Sequence, residues 1–250
     1  MSAYKITALR IGTLYADKHP LTMGRGFGEP YPTPIWSTAI EGNGMKALVD
    51  TGIHDVEWVR RTVGAEYQVT QEDDETMQGA LAKIGWTTDD VQIVINTHLH
   101  YDHAGCNYLF KNATFYAQRI EWEYSYSAIE NQKVYYAPFL YDWSAVRYTS
   151  WKFLDGEYEV KPGIVCIPAP GHTPGSQAVL VSTEEGVVCI GGDAVNLPEN
   201  VNDNVLPNII CNCEAGFRTL EAVRNRADRL MGGHDGAIVK YQTSGFPKIN

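Results

Sequence analysis

Apolar and polar residues alternate over several short stretches of this chain, and elsewhere apolar residues recur three and four positions apart. The first pattern predicts strands and the second helices. Residues 4–15 and 35–50 read as early strands, the latter closing on Met45-Lys46-Ala47-Leu48-Val49-Asp50 ahead of an Asp50-Thr51-Gly52 turn. The stretch 16–34 between them, rich in glycine and proline, reads as a loop. Helices are predicted over 54–63 and 73–84, the second with acids in its first turn and Gly85 just past its end. Val91-Gln92-Ile93-Val94-Ile95-Asn96 reads as a buried strand, 113–117 as another, and 118–128 as a helix. Residues 129–152 are rich in Tyr and Trp and have no clean period. Strands follow over 163–168, 176–182 and 186–191. Phe217, Leu220, Val223, Ala227 and Leu230 stripe a helix over 214–231. Strands and helices interleave, and several strands follow one another as hairpins would. The class is therefore α/β or α+β, with helices outside packed sheets.

No repeat or low-complexity linker divides the 250 residues, so 1–250 read as a single domain with length enough for a sizeable core. Apolar runs such as 187–190 stop at four residues. A bilayer-spanning helix needs about 20, so no membrane is expected as a partner. Thirty acidic residues against 20 basic ones give a formal charge of −10 without a basic patch, which argues against nucleic acid. The N-terminal Met1-Ser2-Ala3-Tyr4-Lys5 has no apolar leader core. Cys106, Cys166, Cys189, Cys211 and Cys213 are odd in number and irregularly spaced, as reduced thiols would be. Both features predict a cytoplasmic protein.

The histidines carry the chemistry. Three of the seven fall in His98-Leu99-His100-Tyr101-Asp102-His103, directly after the buried strand at 91–96. Residues two apart in an extended segment point the same way, so His98 and His100 converge, and a turn then lets Asp102 and His103 address a second point nearby. Imidazole and carboxylate are the ligands that zinc and similar borderline metals prefer. His172 in Pro170-Gly171-His172-Thr173-Pro174-Gly175, Asp193 in Gly191-Gly192-Asp193-Ala194 and His234 in Gly232-Gly233-His234-Asp235 each lie just past an apolar element, beside glycine or proline. Together these positions are ordered so as to enclose two metals. His19 and His54 read as ordinary polar residues, with His54 close enough to the Asp50-Thr51-Gly52 turn to approach the site.

The His-x-His-x-Asp-His stretch, the Pro-Gly-His-Thr-Pro-Gly loop, the Gly-Asp loop, the late Gly-His and the early Asp50-Thr51-Gly52 resemble the metallo-β-lactamase superfamily. Within it, residues 100–107 and 154–160 are most similar to the N-acyl homoserine lactonase-like branch. The resemblance implies a four-layer αββα sandwich with the metal site at one edge of its two sheets. It also implies one metal site at His98, His100 and His172, a second at Asp102, His103 and His234, and Asp193 bridging them. The cofactors implied are two divalent ions, zinc first, with iron or manganese as alternatives.

Two close metals hold a shared water and lower its pKa to near neutrality, so the hydroxide attacks a carbonyl. A lactone or related cyclic ester or amide would open this way, with Asp102 relaying a proton to the leaving group. Related lactonases carry a Tyr three residues after the bridging Asp; here that place holds Asn196, which is either an amide donor to the substrate or a turn residue. The partner expected is a small-molecule substrate. Phe27, Tyr31, Trp36, Tyr135, Tyr136, Phe139, Tyr141 and Trp143 are candidates for its pocket wall; packing in the core and a homodimer interface are the alternative roles for these rings. The competing readings are a thioesterase of the same fold, a mononuclear iron enzyme like the persulfide dioxygenases, a nuclease, and a metal-bound scaffold.

Overall fold

Strict alternation within a strand sends successive side chains to opposite faces of its sheet, and in this protein both faces are buried. The computed structural model describes residues 3–64, 68–147 and 150–250. Its elements run β1 (Lys5–Asp17), β2 (Pro30–Gly42), β3 (Met45–Val49), α1 (Val56–Thr62), β4 (Gln68–Thr70), α2 (Met77–Lys83), β5 (Ile93–Ile95), α3 (Tyr101–Ala104), β6 (Thr114–Gln118), α4 (Arg119–Ser127), α5 (Glu130–Lys133), β7 (Trp151–Leu154), β8 (Tyr158–Lys161), β9 (Ile164–Pro168), β10 (Gln177–Thr183), β11 (Gly186–Ile190), α6 (Pro198–Asn202), α7 (Cys213–Arg226) and β12 (Arg229–Met231). They form a seven-stranded sheet, β4-β1-β2-β3-β5-β6-β7, and a five-stranded sheet, β12-β11-β10-β9-β8.

One face of each sheet meets the other sheet. Ala47, Val49, Ile93 and Ile95 from the first sheet share a core with Ile164, Cys166, Val179 and Val181 from the second. The residues between them face outward: Leu48 and Val94 pack under α1, α2 and the 129–151 segment, and Ala178 and Leu180 pack under α6 and α7. The result is the αββα sandwich expected from the resemblance. Among the described residues no helix is long and apolar enough to cross a membrane. All five cysteines are free, and burial pushes Cys106, Cys166 and Cys189 up to about 12.

Two regions depart from the sequence reading. The 16–34 stretch is loop only over 18–29, because β1 runs to Asp17 and β2 starts at Pro30. Pro30, Pro32 and Pro34 sit opposite Asp17, Tyr15 and Thr13 on alternate residues of β2. Period two sends all three missing N–H groups to the edge away from β1, where no ladder is broken, since β3 pairs only with 38–42. The helix expected over 214–231 stops at Arg226, with Ala227 extended, and Leu230 belongs to β12, which pairs in parallel with β11. Its true inner stripe is Ala215, Gly216, Thr219, Leu220 and Val223, while Phe217 is exposed. Over 73–84 a short turn at Asp73–Glu75 precedes α2, whose first turn is capped by Thr76 accepting the Gly79 N–H. β4, β7 and β8 were not anticipated.

Candidate metal centre

The loops that leave β5, β9, β11 and β12 carry the seven candidate ligands, and the fold brings all of them together. Ligand atoms of His98, His100 and His172 lie within 4.8 Å of one another, as do those of His98, His103 and Asp193 and those of Asp102, His103 and His234. Every one of the seven is buried. The sheets contribute jointly: β5 leads to His98, His100 and α3 with Asp102 and His103, whereas β9, β11 and β12 lead to His172, Asp193 and His234.

Each ring is held from behind. The Nδ1 of His172 donates to the Ile209 carbonyl at 2.8 Å, and that of His234 to the Pro34 carbonyl at 2.8 Å on the open edge of β2. His103 Nδ1 donates to Asp50 Oδ2 at 2.8 Å. Thr97 Oγ1 gives its proton to Asp50 Oδ2, so it accepts from His98 Nδ1 at 3.1 Å. These outer partners fix the tautomer and leave Nε2 with its lone pair toward the centre. Asp50 is itself at φ 60, an unusual region for a non-glycine residue, and from there its carboxylate also accepts the Thr97 N–H at 2.7 Å. His100 is held by backbone instead, in an antiparallel bridge with Tyr136.

Asp193 stands between the two groups. Its Oδ1 lies 3.1 Å from Nε2 of both His103 and His234, and its Oδ2 lies 3.5 Å from His172 Nε2. Gly192 permits this approach, since a Cβ there would sit 2.4 Å from Thr97 Oγ1. Asp102 Oδ2 faces His234 Nε2 at 3.6 Å and His103 Nε2 at 3.8 Å.

The electrostatics differ across the site. Burial, helped by neighbouring imidazoles, holds His98 and His100 well below the ordinary histidine range, so both are neutral. Burial also opposes charge on His103 and His234, but there Asp193 leads the carboxylates that outweigh it and raise both. Burial alone would raise Asp193; His234 and His103 more than reverse that and take it well below the carboxylate range. Asp102 is raised by burial.

The donor set fits a borderline dication. Nε2 of His98 and His103 and Oδ1 of Asp193 are buried without a hydrogen-bond partner, which is costly unless something else satisfies them. His100 Nδ1 and His172 Nε2 lie 3.1 Å apart. With metal–nitrogen bonds of 2.0–2.1 Å, two ligands of one tetrahedral ion stand roughly 3.3 Å apart.

A cleft opens over the seven residues. Leu14, Ala16, Pro20, Leu21, Ile209 and Tyr135 give it apolar walls, while His100, Asp102, Asp193, Asn196 and His234 line its floor. An adjoining groove shares Asp17, Tyr135 and Ile209 and adds Tyr15 and Tyr31. Of the aromatics considered for the wall, Tyr135 and Tyr31 take that role. Trp36, Tyr136 and Tyr141 are buried, and Phe27, Phe139 and Trp143 are exposed. His54 meets Trp58, Tyr108 and Phe139 edge-on rather than joining the ligands, and His19 stacks on Phe27. Asn196 is buried in the cleft, its Oδ1 unpartnered and its Nδ2 at 3.5 Å from the Asp193 carbonyl. The turn that follows is held by another residue, Asn200, whose Oδ1 accepts the Leu197 N–H at 2.7 Å. Two contributors escaped the sequence reading of the site: Asp50, read as part of a turn and of the resemblance but given no role, and Glu121, one of two acids in the short α4.

Residues 30–239 match the metallo-beta-lactamase superfamily. An N-acyl homoserine lactonase from a Bacillus species is 32% identical over 212 residues, covering 82% of this chain and 81% of its own length. The N-acyl homoserine lactonase AttM of Azorhizobium caulinodans is 26% identical over 261 residues, covering 94% of each. A solved N-acyl homoserine lactone hydrolase, with the product N-hexanoyl-L-homoserine bound at its catalytic metal centre, matches with a TM-score of 0.80 and 26% identity over 97% of this chain and 100% of that one. This chain belongs to the metallo-β-lactamase superfamily. Within it, the chain falls in the lactonase-like branch and is a metal-dependent hydrolase.

Proposed function

We propose that this enzyme opens lactones, or closely related cyclic esters and amides, at a dinuclear metal centre. The observation that carries the reading is Asp193, whose two oxygens face opposite halves of a seven-residue donor set. His98, His100 and His172 would hold one ion and Asp102, His103 and His234 the other, with Asp193 shared. When bound, the two divalent ions supply Lewis acidity and an activated water; zinc suits this imidazole-rich set, with iron or manganese as alternatives. Asn196, which lines the cleft, would donate its amide N–H to the substrate carbonyl. Asp102 faces the same cleft and would pass a proton to the departing alkoxide. Leu14, Leu21 and Ile209 give an apolar substituent of the substrate a dry wall, and among the described residues neither Lys nor Arg lines the cleft to attract an anionic one. The named relatives and the lactone product bound by one of them support this choice over a thioesterase. We read residues 1–250 as one hydrolase domain, because ligands from both sheets are needed to complete the site.

Metal analysis combined with a hydrolysis screen over uncharged lactones, cyclic amides and thioesters tests the reading. The expected result is two divalent ions per chain and turnover of at least one lactone. A fully loaded preparation holding one ion refutes the dinuclear centre, and turnover of linear thioesters alone refutes the substrate class.

A further inference from the structure

We propose that Glu121 is a positioning residue that clamps the His98-Leu99-His100 segment to the His172 loop, and so sets the affinity of that half of the centre for its ion. This rests on the reading that His98, His100 and His172 hold a metal. Glu121 lies in the first turn of α4, where an acid is ordinarily solvated, yet it is fully buried. Its partners are three neutral donors. Oε1 accepts the Leu99 N–H at 3.0 Å and the Tyr136 hydroxyl at 3.0 Å, and Oε2 accepts the Thr173 hydroxyl at 2.6 Å.

Each donor adjoins a candidate ligand. Leu99 lies between His98 and His100, and Thr173 follows His172. The Tyr136 ring packs against His100 with centroids 4.6 Å apart, and its backbone bridges to the same residue. One carboxylate oxygen therefore serves the segment that leaves the first sheet, and the other serves a loop of the second. Gly175 makes the contact possible: a Cβ there would lie 2.3 Å from the Glu121 nitrogen, so only glycine lets this loop sit flush on α4. A buried carboxylate with no cationic side chain for a partner is unfavourable in itself. Here its cost is met by three hydrogen bonds whose other ends hold the site.

The amide variant separates the clamp from the charge. Glu121→Gln keeps an oxygen for Leu99 and Tyr136. Its nitrogen donates to Thr173 Oγ1, which turns its own proton to Ser176 Oγ, 2.7 Å away. Glu121→Ala removes all three contacts.

The test titrates metal-free full-length protein with cobalt(II) alone and follows visible absorption, with His172→Ala and His234→Ala marking the two halves. Glu121→Ala is expected to weaken the ion lost in His172→Ala by about 10–100-fold and to leave the other within about threefold, with Glu121→Gln close to wild type at both. Equal weakening of both ions, weakening of neither, or a Gln variant as poor as the Ala variant would overturn the clamp. Where Glu121→Ala does not fold, Thr173→Val cuts only the Oε2 arm. It must weaken the same ion by more than about threefold, and an unchanged affinity overturns the proposal. Wild-type protein taking up a single cobalt refutes the dinuclear reading on its own. The clamp then stands or falls on whether Glu121→Ala weakens that ion.

Discussion

His98, His100 and His172 meet without an acid in their own set, whereas His103 and His234 face Asp102 and Asp193, and His103 is backed by a third acid, Asp50. The first half is made ready by burial, which keeps His98 and His100 neutral with their lone pairs free. The second is made ready by opposite charge, with His234 and His103 holding Asp193 ionised. The outer supports differ in the same sense. Glu121 reaches the first half only through hydroxyls and a backbone N–H, whereas Asp50 bonds directly to a ring of the second. One chain thus has two ways of assembling a metal position: through positions of neutral rings, and through a local excess of negative charge.

Perturbations can be ranked by whether they strike both halves or one. Chelation strikes both and should abolish turnover, with activity returning on addition of zinc; activity that persists in metal-free protein would remove the basis of the comparison. Asp193→Ala is next, because it withdraws the one carboxylate shared by the halves. We expect both ions to bind more weakly and kcat/KM to fall by more than the roughly 100-fold that loss of an outer partner costs. Metal content and steady-state rates should show a larger loss than His234→Ala. Parity between the two variants would mean that Asp193 serves only one half. Asp50→Ala follows: it frees His103 Nδ1 and should weaken the ion of the second half by about 10–100-fold, and that of the first half less, since Asp50 reaches His98 only through Thr97. A cobalt titration in which Asp50→Ala weakens the first half equally would erase the distinction between the halves.

The ligands were not equally legible in the sequence, and the division cuts across both halves. Four ligand positions lie within six residues, so spacing alone exposed His98, His100, Asp102 and His103. His172, Asp193 and His234 are single residues in separate loops, and their glycine neighbours together with the family resemblance singled them out. The αββα arrangement came from the family resemblance, whereas the apolar pattern located β3, β5, β9 and β10. That pattern failed at Pro30, Pro32 and Pro34, where three ladder-breaking residues are harmless only because they share one open edge. It failed again at Leu230, which continues the apolar spacing of α7 but lies past the extended Ala227. The 129–152 segment shows no period because its aromatics divide among three environments: Tyr141 in the core, Tyr135 on the cleft wall and Trp143 in solvent. Glu121 could not be read at all. Nothing in a short helix with neighbouring acids distinguishes a buried glutamate from a solvated one until the Gly175 loop is seen lying on it.

The smallest expected effect falls on the cleft floor, where neither half of the centre is disturbed. Asn196 lies three residues after Asp193, and its one side-chain contact to a candidate ligand is the long one from Nδ2 to the Asp193 carbonyl, at 3.5 Å. Its buried Oδ1 has no partner, and its Nδ2 has only a long contact to a carbonyl, so the amide is poorly satisfied by the protein alone. The local turn does not need it, since Asn200 supplies that bond. What remains is a hydrogen-bonding group that lines the cleft over the candidate ligands, where the proposed substrate would bind. A well-aimed donor at a developing oxyanion contributes about 2.7–4 kcal/mol. Because the metal centre shares that task here, Asn196→Ala should lower kcat by about tenfold, roughly 1.4 kcal/mol, with both ions retained. The measurement is kcat on the best lactone together with metal content. An unchanged rate with intact metal would assign the side chain to packing, and loss of an ion would place Asn196 in the scaffold of the centre rather than at its substrate face.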